Sequence, residues 1–109
     1  MINRSAVLVR FKQPYINWAG SLNDSDILPD ETCEPSMYLI PEYDNESHAL
    51  ELLEHAYGTI FECELNAWHT ASENWPQERS FTMFLQWFDL TFASLIEDLC
   101  EGPIIADNQ

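Results

Sequence analysis

Leu50, Leu53, Tyr57, Ile60, Phe61, Leu65 and Trp68 recur at three- and four-residue steps and mark one long amphipathic helix over residues 46–68. Ala49, Leu52, Ala56 and Cys63 extend that stripe sideways, so the buried arc is wide and the helix needs a broad partner. Asp44 or Asn45 is placed to cap it, with Glu46 favourable in its first turn. Gly58 falls on the opposite, wet face, where it lowers helix propensity without touching packing. A helix of this kind cannot stand alone, and the rest of the chain must supply a layer for it to cover.

The segment Ser5–Phe11 supplies the first part of that layer. Val7, Val9 and Phe11 alternate with Ala6 and Leu8, so both sets are apolar and the run reads as a strand covered on both faces. Pro14 suits a first helical turn, and Tyr15, Ile16, Trp18, Ala19 and Leu22 form a short N-terminal helix. Residues 23–36 read as a loop anchored by Ile27 and Leu28. Met37, Tyr38, Leu39 and Ile40 form a second strand over 37–41, which Pro41 marks as an edge or a strand end.

His69 to Gln77 is a loop, with Trp75 driven to an extended conformation by Pro76. Phe81, Phe84, Leu85, Phe88 and Phe92 then give a helical stripe over 80–92. Periodicity leaves two continuations open, one longer helix through Leu95, Ile96 and Leu99 or a third strand over 94–99. The expected fold is therefore a single α+β domain of residues 1–109. A small two- or three-stranded sheet packs against two main helices plus the short N-terminal one.

Charge narrows the function classes. The 109 residues hold 19 Asp/Glu against 4 Lys/Arg, a formal net charge of −15, and no Lys or Arg lies between Lys12 and Arg79. Nucleic acids and anionic membranes both demand positive charge, so neither is an expected partner. No stretch is long and apolar enough for a membrane span. The apolar run after Arg4 is too short for a secretory leader, and Arg10 and Lys12 end it. Cys33, Cys63 and Cys100 are odd in number and widely spaced, which favours free thiols in a reducing, cytoplasmic setting. Cys63 belongs to the buried side of the long helix.

The phrases Arg4-Ser5-Ala6-Val7-Leu8-Val9-Arg10, Tyr38-Leu39-Ile40-Pro41-Glu42-Tyr43 and Trp68-His69-Thr70 resemble a group of small acidic bacterial proteins of uncharacterised function. Trp75-Pro76, Arg79-Ser80-Phe81-Thr82-Met83-Phe84 and Trp87-Phe88 fit the same resemblance, which spans most of the chain. It implies a bacterial, cytoplasmic origin and a β-rich segment over 94–99. None of these phrases is a catalytic signature, and the resemblance transfers no site residues.

Three clusters carry candidate chemistry. His48, Glu51, His55 and Glu62 share one polar helix face, where imidazole and carboxylate at three- and four-residue steps can share a metal ion. The spacing lacks the adjacent glutamate of the zinc-protease motif, and a solvated helix face explains the same residues. Glu64 falls within the apolar arc and Glu54 at its edge. A core-facing carboxylate needs a donor, and Arg10, Lys12 and Arg79 are the candidate cations for a structural ion pair; beside His69, such a carboxylate is the best catalytic acid.

No pattern marks a nucleophile, a phosphate loop or a dinucleotide site, and no cofactor is called for. The last cluster is Met83, Trp87 and Leu90, a second apolar side on the 80–92 helix. It is either sandwiched inside the domain or serves as an interface with another protein or a second copy. The reading reached from sequence is a non-catalytic acidic protein-interaction or regulatory module. Its alternatives are a metal binder or enzyme using His48, His55 and His69, and a nucleic-acid mimic that occupies a basic protein.

Overall fold

The computed structural model describes residues 2–22, 34–103 and 105. The chain runs β1 (Ser5–Phe11), α1 (Gln13–Ser21), β2 (Ser36–Ile40), α2 (Glu46–Trp68), a 3-10 turn (Ser72–Asn74), α3 (Phe81–Trp87) and β3 (Phe88–Ala93). The three strands form one antiparallel sheet in the order β2-β1-β3. This is a small α+β fold. The expected anchors Ile27 and Leu28 lie outside the described residues, as does Cys33.

Register decides which side chains meet the helices. Ser5, Val7 and Val9 stand across from Ile40, Tyr38 and Ser36, while Val7, Val9 and Phe11 stand across from Phe92, Leu90 and Phe88. Because side chains alternate along a strand, all of these project to one face. That face meets Leu53, Ile60, Phe61 and Leu65 of α2, Tyr15 of α1 and Phe84 of α3 in a single apolar cluster.

α2 forms where the stripe places it, from Glu46 to Trp68, and Asn45 is its cap: the Asn45 side chain accepts from the His48 amide at 2.9 Å. That bond satisfies one of the four donors a helix start leaves without partners. α1 is held differently. Lys12 stands at its cap position with no side-chain capping bond, Pro14 presets the first turn, and the Tyr15 ring stacks on Phe11 at 4.0 Å between centroids.

Two expectations are corrected. Among the described residues β1 carries helices on one face only, because each of them packs on the Val7 and Val9 side. On the other face Ala6 is buried and Leu8 half-buried, while neighbouring Met37 and Leu39 are exposed. An apolar side chain in a central strand can be shielded laterally by its cross-strand neighbours and does not require a second layer.

The 80–92 helix is also too long. α3 ends at Trp87, Phe88 is already extended (φ −132°, ψ 142°), and β3 occupies Phe88–Ala93 instead of 94–99. Phe84, Phe88 and Phe92 are spaced by four, which fits a helical turn and is also twice the strand period, so the aromatic stripe suits either element. Residues 94–99 carry no strand, although the Ile2 amide donates to the Ile96 carbonyl at 3.0 Å just past the ladder.

Gly58 lies on the exposed face of α2, and a Cβ added there meets nothing within 4 Å. Gly58→Ala is therefore expected to stabilise the fold by about 1 kcal/mol in urea unfolding, with an unchanged slope.

Candidate interaction surface

Glu64 is only 3% exposed, in the middle of the buried arc of α2. Its donors are hydroxyls: Tyr38 Oη at 2.7 Å and Ser36 Oγ at 3.0 Å, both to Oε2. The Tyr15 hydroxyl donates to the Glu64 backbone carbonyl at 2.7 Å, so one residue ties α2 to both β2 and α1. The expected ion pair is thus replaced by hydrogen bonds.

Two of the three candidate cations are engaged elsewhere. Arg79 pairs with Glu62 at 2.8 Å, and Lys12 Nζ donates to the Leu85 carbonyl at 3.0 Å. The signal for the hydroxyl partners was the alternation of Ser36 with Tyr38, which puts both on the inward face of β2. Glu64 Oε1 and Ser5 Oγ have no hydrogen-bond partner among the described residues.

Burial is the main reason that the Tyr38 hydroxyl is pushed far above its ordinary value of about 10, followed by its hydrogen bond to Glu64 and the carboxylate charge. Tyr38 stays protonated in the fold while tyrosines of the unfolded chain ionise near pH 10. Unfolding is then favoured progressively as pH rises above about 10. Tyr38→Phe is expected to cost about 1–3 kcal/mol at neutral pH, because a buried carboxylate loses a donor, and to flatten the alkaline decline. Urea titrations at neutral and alkaline pH check both effects.

The histidines do not assemble. His48 Nδ1 accepts from the Asp44 amide at 3.1 Å and lies 3.7 Å from Asp44 Oδ2, so it belongs to the helix cap. His55 and Glu51 are exposed, and Glu62 is taken by Arg79. His69 follows α2, with its Nε2 3.0 Å from the Asn74 amide nitrogen. Among the described residues no three His, Cys, Asp or Glu side chains come together in a way that can hold a metal ion. Glu54 is exposed, as are the free thiols Cys63 and Cys100. Cys63 was expected inside; it falls one step past the edge of the buried arc that Ile60 marks.

Met83, Trp87 and Leu90 are split between two elements. Met83 and Trp87 belong to α3, whereas Leu90 is on β3 across from Val9, and all three are half-buried against the core. The Trp87 ring lies 5.5 Å from Phe61 and 6.2 Å from both Tyr15 and Trp18. α3 is therefore flanked by α2 through Phe84 and by α1 through Trp87, which accounts for apolar residues on two of its sides. Trp87→Ala is expected to destabilise by roughly 2–4 kcal/mol, somewhat below the range for a fully buried ring, as read from its unfolding midpoint.

One exposed apolar surface lies on the far side of the sheet, while Leu95, Leu99 and Ile105 are exposed outside it. Its central strip is Ala6 and Leu8 of β1, flanked by Met37 and Leu39 of β2 and by Thr91 and Ala93 of β3. Met37 is 60% exposed and Leu39 55%. At one end of this face stand Arg10 and Asp89, register partners across the β1–β3 ladder. They also line an open cleft of about 600 Å³ with Phe11, Lys12, Gln13, Pro14 and Gln86. The signal for this face was present in β2, where Met37 and Leu39 form an apolar set of their own on a strand that Pro41 marks as an edge.

No family model, curated protein or solved structure matches the chain. Among the described residues, no helix is long and apolar enough to cross a membrane.

Proposed function

We propose that this chain is a non-catalytic, acidic protein-interaction module whose working surface is the open face of its sheet. The observation that carries this reading is the exposure of Met37 and Leu39 beside Leu8, on the side of the sheet that carries no helix among the described residues. Large apolar side chains grouped on a surface mark contact sites, whereas isolated ones are ordinary. The remaining surface carries the charge. A protein of net charge −15 keeps non-cognate acidic neighbours at a distance and reserves apolar contact for a defined patch.

The Met83, Trp87 and Leu90 group contributes to this reading only through the fold, since its rings and side chains are used against the core. A bacterial, cytoplasmic setting is part of the proposal, and the exposed thiols of Cys63 and Cys100 support a reducing compartment.

The test is affinity capture from the native host with tagged wild type and tagged Leu39→Asp, washed at low and at high salt. Apolar docking at the sheet predicts proteins that survive the high-salt wash and are lost with Leu39→Asp. Captured proteins that are basic, released by salt and indifferent to Leu39→Asp would replace this reading with phosphate mimicry by the anionic face.

A further inference from the structure

We propose that the occupant of the open sheet face is a second copy of this chain, packed sheet against sheet. The inference rests on the reading above and specifies the partner.

Charge singles out this face. Two copies that each carry −15 repel one another wherever carboxylates meet, so they can associate only across a surface that lacks them. The strip formed by Ala6, Leu8, Met37, Leu39, Thr91 and Ala93 has no ionisable side chain. Among the described residues of the three strands, charges stand at its ends and carry both signs. Arg4 and Arg10 share the outward parity of Ala6 and Leu8, and Asp89 faces outward on β3.

Arg10 and Asp89 are register partners, yet among the described residues neither forms an ion pair. A two-fold contact places the same patch on both sides and therefore has to be complementary to itself. An apolar middle with cations and a carboxylate at its margins meets that condition. A strongly basic partner would be drawn to the carboxylate-rich remainder of the molecule, and a strongly acidic one would be repelled by it.

At the β2 edge, geometry favours face packing over strand addition, and β3 forms the other edge of the sheet. β2 is an edge strand, but Pro35 and Pro41 bracket it, and proline cannot extend a ladder. Sheets stack about 10 Å apart with their strands roughly aligned, a spacing filled by side chains such as Leu and Met. With the two β1 strands antiparallel across the axis, Arg4 of one copy comes to the end of the other that holds Asp89.

Sedimentation equilibrium of the full chain over a range of sodium chloride concentrations tests the proposal. The expected result is a wild type of twice the chain mass whose association tightens as salt rises, because screening removes repulsion between two acidic bodies. Leu39→Asp and Met37→Lys should each weaken association by about tenfold or more while leaving the far-ultraviolet circular dichroism unchanged. Met37→Lys lowers the net charge, so its effect reports loss of apolar packing.

Leu99→Asp, on a residue 93% exposed outside the sheet, should associate like wild type. A wild type that stays monomeric at every salt concentration overturns the proposal, as does a dimer insensitive to both sheet variants or one broken by Leu99→Asp. A monomeric wild type whose host capture still depends on Leu39 would sink the dimer while leaving the interaction-module reading in place.

Discussion

The packing of Phe61 is the constraint on which the rest of the structure depends. Its ring lies 5.3 Å from Phe88, 5.5 Å from Trp87 and 5.9 Å from Phe84, so a single residue of α2 touches the end of α3 and the start of β3 together. Rings in tilted and edge-to-face arrangements gain specific attraction beyond the area that they bury. Tyr15 joins the same group from α1, 5.5 Å from Phe88. The three helices of the described residues are therefore drawn to one side of the sheet, and none of them packs on the other.

That asymmetry also explains how the acidity is tolerated. Among the described residues, the one buried carboxylate is Glu64, and it is neutralised by no cation. Two hydroxyls serve it, in a chain whose 4 Lys/Arg are too few to be spent inside. Hydrogen bonds from Tyr38 and Ser36 bring no second charge into the interior, so only one desolvation cost arises where a salt bridge would add another. The remaining carboxylates stay on the helical side and at the surface, where water carries their solvation. Chemistry of the metal or acid–base kind would need several of these groups gathered, and α2 instead disperses His48, Glu51 and His55 along a wet face.

The sequence was most legible where one period prevailed. The stripe of α2 set its limits because seven large apolar residues agree with a helical repeat and with no other. Ser5–Phe11 was equally plain as a strand, but the number of layers over it was not, since lateral shielding of Ala6 and Leu8 leaves the same apolar pattern as a second layer. The Phe84, Phe88 and Phe92 spacing was ambiguous in principle, and the alternation of Phe88, Leu90 and Phe92 with Asp89 and Thr91 was the signal that separates strand from helix. The interaction surface followed the same logic: Met83, Trp87 and Leu90 fit one face only if the helix continues, and the exposed Met37 and Leu39 emerge once the sheet is known to be one-sided.

The join between α3 and β3 has no connecting residues: Trp87 closes the helix and Phe88 opens the strand, pinned by the Lys12 amide on the Trp87 carbonyl at 2.9 Å. Such a seam has no slack. One residue gained or lost there would swap the two faces of β3, turning Phe88, Leu90 and Phe92 to water and driving Asp89 and Thr91 into the aromatic interior. A change of chain length is thus expected to be tolerated in the loops and not at this seam, which fixes the end of α3 to the start of the outermost strand.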